Sequence, residues 1–115
     1  MAETNQSLCC KVRVTVYRPG FEDGHSFGKG IHLLLCGIRD TGSLNRTAKD
    51  MGMAYSRAWN ILKQSEKELG FSLVERHGPK GSSLTEEGLR FLSLYEEMEA
   101  AAQKAVADVF CKYRK

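Results

Sequence analysis

Polar and apolar residues alternate near the start of the chain. The stretch 11–17 reads Lys-Val-Arg-Val-Thr-Val-Tyr and stops at Pro19-Gly20. Alternation of this kind, with β-branched residues, predicts one strand whose Val12, Val14 and Val16 share a buried face. The residues before it show no such pattern, and we expect residues 1–9 to form a disordered segment.

The apolar period changes to that of a helix after residue 30. Four apolar residues of this segment step by three and four, namely Ile31, Leu34, Leu35 and Ile38. The predicted helix ends at residues 40–42, and Ser43 is a suitable N-cap for a short second helix that ends near Gly52. A third helix is predicted from Tyr55 to Leu69, with Gly70 ending it.

A short hairpin is predicted after the third helix, and we call residues 73–84 the wing. Leu73-Val74-Glu75-Arg76 is extended, Ser83-Leu84 can return beside it, and a basic, glycine-rich tip lies between them. Two helices joined by a glycine turn and followed by such a hairpin are typical of proteins that bind duplex DNA. The predicted fold is therefore mainly α with a small β wing: a winged helix-turn-helix with an N-terminal strand and a long C-terminal helix.

The C-terminal helix is predicted from Glu86 to about Phe110, with Thr85 as its N-cap. Two apolar stripes run along it, interrupted by one polar residue, Glu99. The first stripe comprises Phe91, Leu94, Met98, Ala101 and Ala105, and the second Leu92, Tyr95, Ala102, Val106 and Val109. A small monomer core does not cover two stripes, so we expect a homodimer in which residues 85–115 form the dimerisation helix and a basic tail. Folding of this helix back onto its own domain, residues 10–84, is the alternative.

The third helix carries a polar face outside its apolar stripe. Arg57, Asn60, Gln64 and Lys67 step by three and four and share one outward face. Arginine pairs bidentately with guanine, and Asn and Gln match adenine. Such residues are also ordinary exposed helix formers. Their position after a glycine turn and before a basic hairpin favours contact with DNA.

The wing adds groups suited to phosphates, because Gly78 and Gly81 let the protein backbone of the wing come close to a DNA phosphate. An ordinary solvated turn is the alternative for this hairpin. Trp59 is expected to pack against the core rather than to stack on a base. The predicted DNA-binding residues are Ser43, Arg46, Tyr55, Ser56, Arg57, Asn60, Lys63, Gln64, Lys67, Arg76, His77, Lys80, Ser82 and Ser83.

Charge is divided unevenly along the 115 residues, whose formal net charge is only +3. Residues 39–81 hold eight Lys/Arg against five Asp/Glu, whereas residues 85–110 hold two against six. A polyanion is therefore expected to meet the middle of the chain. No apolar run approaches the roughly 18 residues of a membrane span, and no secretory core precedes residue 10, so a cytosolic protein without a membrane partner is expected.

The cysteines and histidines form no pattern typical of a metal site. Cys9, Cys10, Cys36 and Cys111 include no Cys-x-x-Cys pair, and no two histidines stand at ligand spacing, so neither a metal nor a cofactor is expected. Cys36 is interpreted as a small core residue, and His25 and His32 are assigned no role. The sequence also lacks a nucleophile elbow, a phosphate loop and a dinucleotide fingerprint, which argues against an enzyme.

The chain resembles the DNA-binding half of the ModE-type molybdenum-responsive regulators, whose helix-turn-helix is similar to that of LysR-type regulators. The matching segments are Lys11-Val12-Arg13-Val14, Phe27-Gly28-Lys29-Gly30, Thr41-Gly42-Ser43-Leu44, Ala48-Lys49-Asp50-Met51-Gly52-Met53, Tyr55, Arg57-Ala58-Trp59, Leu73-Val74-Glu75-Arg76 and Leu84-Thr85-Glu86-Glu87-Gly88. The resemblance covers about residues 10–100. It implies a homodimer on a palindromic operator, with Ser56, Arg57, Asn60 and Lys63 facing the groove and residues 76–83 in the wing.

Three features depart from that family. The sequence ends at Lys115, where the full-length regulators continue into oxyanion-binding domains, so molybdate binding is not expected to carry over. The wing is shorter and poorer in glycine, and Ala54 stands where a serine commonly caps the recognition helix. The sequence therefore predicts a DNA-binding transcriptional regulator without its own sensor domain, whose partners could include a separate sensor protein. The alternative is a protein-interaction module that docks a partner through its C-terminal helix.

Overall fold

The computed structural model describes residues 8–22 and 26–114. Its helices are α1 (Lys29–Thr41), α2 (Leu44–Asp50), α3 (Tyr55–Leu69) and α4 (Glu86–Phe110), and its strands are β1 (Val74–Arg76) and β2 (Ser82–Leu84). Short 3-10 turns lie at Gly78–Lys80 and Cys111–Arg114. This mainly helical architecture with a two-stranded antiparallel sheet confirms the predicted fold class. Most of the segment predicted to be disordered, residues 1–7, lies outside the described residues.

The N-terminal arm, residues 10–17, is extended but is not part of a sheet. Val12, Val14 and Val16 are half-buried and the residues between them are exposed, as the alternation predicts. Pairing differs from a full strand, because one bridge, between Val16 and Phe27, joins the arm to another segment within the described residues. The backbone amide of Val12 instead donates to Gln103 Oε1 on α4 at 2.9 Å. The alternating pattern predicts which face of a segment is buried, but it does not predict which part of the protein covers that face.

The core lies where α1 meets the other three helices. All four apolar residues predicted for α1 are buried. The other helices contribute buried residues to the same core: Leu44 and Ala48 from α2, Ala58 and Leu62 from α3, and Leu92 and Tyr95 from α4. Contact between α1 and α2 requires a glycine at position 37, because a Cβ there would lie 2.3 Å from Thr47 Cγ2. The tight crossing fixes the position of α2, and through it the start of α3.

The arm is fastened to α4 at Tyr95. Its hydroxyl lies 2.6 Å from the Val14 carbonyl oxygen and 3.1 Å from Glu99 Oε2. Burial, together with the nearby Glu99 carboxylate, raises the pKa of Tyr95 to about 12, so the hydroxyl remains a donor at neutral pH. Glu99, which interrupts the apolar stripe in the sequence, therefore has a structural role in holding the arm.

The second half of α4 extends beyond the core. Leu92 and Tyr95 are buried, whereas Val106 is 40% and Val109 62% exposed. The radius of gyration is 17.1 Å, against about 13 Å for a compact domain of this length. Apolar residues on this half of α4 therefore have no cover within the described chain. None of the described helices has the length and hydropathy needed to cross a membrane.

Candidate nucleic-acid interface

The turn between α2 and α3 is built as the sequence predicts. Ser43 caps α2, its Oγ accepting the Arg46 backbone amide at 2.9 Å. Gly52 has φ +71°, a left-handed conformation that side chains rarely adopt. The chain then enters α3 at Ala54, which offers no side-chain hydrogen bond to the first turn. The start of α3 therefore keeps exposed backbone amides without a side-chain cap.

Replacing Ala54 with serine is expected to stabilise the protein. Ala54 already has the extended backbone of an N-cap, with φ −67° and ψ 146°, so a serine hydroxyl there can accept an α3 amide. The expected gain in free energy of unfolding is about 0.5–2 kcal/mol, measured by urea denaturation. Ala54→Val is the matched control, and an equal gain for valine would contradict capping as the cause.

Helix α3 separates an inner apolar face from an outer polar one. Ala58, Leu62 and Leu69 are buried. The outer residues Ser56, Arg57, Asn60, Lys63, Gln64 and Lys67 are all exposed. Lys63 pairs with Glu66 at 3.4 Å and Gln64 donates to Glu68 at 2.7 Å.

The middle of this outer face is left open. Among the described residues, the side chains of Arg57, Asn60 and Lys67 have no hydrogen-bond or ion-pair partner. These three keep their donors and acceptors available for a ligand.

A cleft lies between the outer face of α3 and the N-terminal arm. It has a volume of about 1030 Å³, and Arg13 and Lys29 line it together with Arg57, Asn60 and Gln64. The sequence-based prediction missed Arg13 and Lys29. For Arg13, the exposed basic positions that alternate with the valines of the arm were the available signal, whereas Lys29 starts α1 and follows no such pattern. Arg13 adds a positive charge to this side of α3, whereas Lys29 is partly neutralised because it pairs with Glu99 at 4.0 Å.

The wing is an antiparallel hairpin in which Val74 pairs with Leu84 and Arg76 with Ser82. Its second strand is held against the turn after α1, where the Ser82 amide donates to the Gly42 carbonyl at 2.9 Å. Ser82 is 9% exposed, because packing of β2 against the end of α1 covers most of it, so it offers less surface to a ligand than His77 or Lys80. His77 and Ser83 are joined by a 2.7 Å hydrogen bond, and Lys80 is exposed at the tip.

Arg76 connects the wing to α3 through aromatic contacts. Its guanidinium carbon lies 4.7 Å from the ring centroid of Trp59 and 5.7 Å from that of Tyr55. Trp59 is half-buried and packs against the core, in the manner predicted for it. Stacking of this type restricts the arginine while leaving its outer donors available. Arg76 therefore borders one side of the outer face, and Arg13 and Lys29 border the other.

Glu66 fixes the first wing strand to α3 from inside the protein. Its Oε2 accepts the backbone amides of Leu73 at 2.7 Å and Val74 at 3.1 Å. The carboxylate is 9% exposed. Leu73 and Val74 are buried as well, so their backbone amides need this acceptor in place of water. Glu66 thereby sets the angle between α3 and the wing.

Removal of this carboxylate is expected to destabilise the fold. Glu66→Ala leaves the Leu73 and Val74 amides without their acceptor, and we expect the free energy of unfolding to fall by about 3 kcal/mol. Glu75→Ala, which removes an exposed carboxylate from β1, should change it by less than about 0.5 kcal/mol. Urea denaturation measures both, and similar values for the two variants would contradict this role.

Acidic residues of the basic region contact several of its basic and polar side chains, including Lys63 and Gln64 on the outer face of α3. Glu66 and Glu68 are buried, and Asp50 pairs with Arg46 at 3.3 Å. Arg46 is thus partly neutralised, which weakens its case as a phosphate contact. On the outer face of α3, Arg57 and Lys67 accordingly keep their positive charge without a partner among the described residues.

Another group of predicted residues meets beside the wing. Ser43, Tyr55 and Arg76 line a depression of about 240 Å³ between the start of α2 and the hairpin, together with Pro79 and the largely covered Ser82. The structure thereby brings the α2 cap, the start of α3 and the wing together.

One polar cluster lies outside this surface. His32 Nε2 is 3.0 Å from Glu96 Oε2, and this hydrogen bond holds the pKa of Glu96 below its usual range. Burial raises the pKa of the neighbouring Cys36 thiol. Cys36 is half-buried at the edge of the core rather than inside it. Spacing along the chain did not reveal the cluster, because Glu96 lies on a different helix from the other two.

Comparison with known proteins identifies the helix-turn-helix. Residues 33–89 match the family described as bacterial regulatory helix-turn-helix protein, lysR family. The chain is 36% identical over 76 residues to the DNA-binding transcriptional dual regulator ModE of Escherichia coli (strain K12), covering 63% of this chain and 29% of that protein. It is 34% identical over 74 residues to the HTH-type transcriptional regulator CrgA of Neisseria meningitidis, covering 61% and 24%. The chain thus spans less than a third of the length of these relatives.

Solved structures share the fold. The crystal structure of a CbnR_DBD-DNA complex matches with a TM-score of 0.59 at 20% identity, covering 74% of this chain and 98% of that one. ArgP from Mycobacterium tuberculosis matches with a TM-score of 0.54 at 22% identity, covering 70% and 30%. The relatives are named as transcriptional regulators rather than enzymes, which agrees with the motif-based expectation.

Proposed function

Because residues 33–89 form a LysR-type bacterial regulatory helix-turn-helix, we propose that this chain is a sequence-specific transcriptional regulator that binds a palindromic operator as a homodimer. The observation that carries the proposal is the outer face of α3, where Arg57 and Asn60 are exposed and lack partners among the described residues. Fixed secondary structure holds this face between two basic borders. A surface with open, directional hydrogen-bonding groups is suited to base edges in the major groove.

In the proposed complex, α3 enters the major groove and its neighbours contact the backbone. Arg57, Asn60 and Gln64 would discriminate among bases, since their side chains match purine edges. Lys63, Lys67, Arg76 and Lys80 would contact phosphates, which fixes the register and supplies a salt-sensitive part of the affinity. Arg13 and Lys29 extend the phosphate-binding surface to the other border of α3.

A homodimer through α4 would place two copies of α3 on one side of the duplex. Support comes from the exposed apolar residues of α4, including Leu94, Val106 and Val109. A symmetric pair of such helices buries the same face on both subunits. The two recognition helices would then read half-sites about 34 Å apart, or one turn of DNA.

Selection of bound sequences from a random duplex pool at physiological salt tests the proposal. An enriched inverted repeat is expected, and its half-site spacing would report the dimer geometry. Enrichment of one unrepeated half-site would overturn the dimeric mode while keeping specific DNA binding. Absence of any enriched sequence would overturn the proposed function.

A second function is favoured by the same exposed apolar part of α4 and by the low net charge of +3. The domain would then be an interaction module that docks a partner protein carrying the sensor or the DNA site. Salt dependence separates the two functions. A DNA binder with several phosphate contacts loses affinity steeply between about 50 and 200 mM salt, whereas an apolar docking surface does not.

A further inference from the structure

Three different metal-binding side chains meet where α1 lies against α4. His32 and Cys36 are one helical turn apart on α1, and Glu96 reaches them from α4. His32 Nε2 is 3.0 Å from Glu96 Oε2 and 3.6 Å from Cys36 Sγ, and Sγ is 3.6 Å from the same carboxylate oxygen. None of the three belongs to the surface assigned to DNA. The cluster therefore needs an explanation of its own.

The spacing of the donor atoms fits a tetrahedral ion. Zinc bonds of about 2.0–2.1 Å to nitrogen or oxygen and about 2.3 Å to sulfur require donor separations of about 3.4 Å for an N–O pair and about 3.6 Å for pairs with sulfur. Both separations that involve Cys36 Sγ match this value at 3.6 Å. The His32–Glu96 separation has to widen by only about 0.4 Å, a movement within reach of the exposed Glu96 side chain.

The imidazole is held in place for such a role. The His32 side chain is 12% exposed, and its ring lies against Tyr95 with centroids 5.3 Å apart. Its Nδ1 is buried and has no hydrogen-bond partner among the described residues. Nε2 is the nitrogen directed at the other two donors, Glu96 Oε2 and Cys36 Sγ. Little side-chain entropy remains to be lost when an ion binds.

The donor types select the class of ion. Thiolate and imidazole bind zinc and similar late transition metals, whereas magnesium and calcium prefer an all-oxygen set. We propose that His32, Cys36 and Glu96 bind one zinc-class divalent cation, with water at the fourth position. The Glu96 side chain is 43% exposed, so solvent reaches the open side of the site.

The proposed ion would join the helix-turn-helix to α4. Two ligands lie on α1, which carries the core of the DNA-binding unit, and the third lies on the helix that extends beyond it. Coordination releases the thiol proton of Cys36 to solvent as the metal–sulfur bond forms. The proton that His32 Nε2 shares with Glu96 is exchanged for one on Nδ1, so that the Nε2 lone pair binds the ion. Because all three ligands come together only in the folded chain, ion binding should also raise the melting temperature.

Cobalt(II) titration of the full chain tests the site, with zinc competition. The protein would carry Cys9→Ser, Cys10→Ser and Cys111→Ser, so that Cys36 is its only thiol. We expect one ion per chain, with thiolate-to-cobalt charge-transfer bands and the intense visible bands of tetrahedral cobalt. Zinc should displace the cobalt and raise the melting temperature.

Variants assign the ligands. Adding Cys36→Ser should abolish the charge-transfer bands, and Glu96→Gln should weaken binding at least 10-fold. Glu97→Gln, one position along α4 and exposed, is the matched control and should bind like its parent. Circular dichroism confirms folding of each variant, and Glu96→Gln preserves size at an exposed position. An absence of bands in the parent, bands that survive Cys36→Ser, or unchanged affinity in Glu96→Gln would each overturn the proposal.

Discussion

Replacing Val106 and Val109 together with aspartate is expected to convert the proposed homodimer into monomers. Both residues are exposed on the part of α4 that extends beyond the core, so their loss should not unfold the isolated chain. Each lost valine contact costs about 1 kcal/mol or more, and a symmetric dimer loses four of them. Buried carboxylates add a further penalty. Together these effects should raise the dimer dissociation constant by at least roughly 100-fold.

Sedimentation equilibrium over a range of protein concentrations measures this change directly. Lys104→Asp is the control, because Lys104 lies on the charged face of the same helix, 3.4 Å from Asp108. It introduces aspartate without removing an apolar contact and should remain dimeric. If the variant with Val106→Asp and Val109→Asp dimerises like the parent, another surface forms the dimer. If the parent is already monomeric, the proposed homodimer is wrong.

Removal of the two open side chains on α3 should abolish specific recognition while leaving the fold intact. Arg57→Ala and Asn60→Ala each delete a group that has no partner among the described residues, so the free energy of unfolding should change by less than about 0.5 kcal/mol. Each substitution should cost about 1–3 kcal/mol of specific binding, or roughly 5- to 150-fold in affinity. Affinity for unrelated duplexes should fall much less, because phosphate contacts supply it.

Fluorescence anisotropy with the selected operator and a scrambled duplex, at matched salt, provides both affinities. Lys104→Ala removes one positive charge from α4 and serves as the control for a general electrostatic effect. A parallel loss on both duplexes in Arg57→Ala would assign this arginine to phosphates rather than bases. Unchanged operator affinity in both α3 variants would contradict the assignment of α3 as the recognition helix.

Local patterns in the sequence were sufficient to predict the helices and the wing. The steps of three and four in α1, the glycine after each of the first three helices and the Ser43 cap all depend on neighbours within one or two turns. The outer face of α3 followed from the same periodicity. Such features are determined by backbone geometry and by solvent on one side of a helix.

Contacts between distant parts of the chain escaped prediction. In the sequence, Glu66 is indistinguishable from the exposed charged residues of α3. Its hydrogen-bond partners, the amides of Leu73 and Val74, lie after the end of the helix at Gly70. The predicted strand 11–17 became an arm because its amides bond to side chains of α4 roughly ninety positions away. The sequence pattern predicts that Ser82 lies in an open hairpin, whereas in the structure β2 packs against Gly42 and covers most of Ser82. Each case depends on a tertiary partner that no spacing rule specifies.

The wing is braced at both of its strands, by Glu66 beneath β1 and by Gly42 beside β2. A hairpin secured in this way has little freedom to adjust its angle to α3. A duplex that contacts both elements must therefore supply the adaptation itself, by bending or by changing its groove width. Deforming DNA costs free energy that depends on sequence, even at base pairs that no side chain touches. We expect flexible pyrimidine–purine steps at operator positions between the α3 and wing contacts, where the protein would select for bendability rather than for base identity.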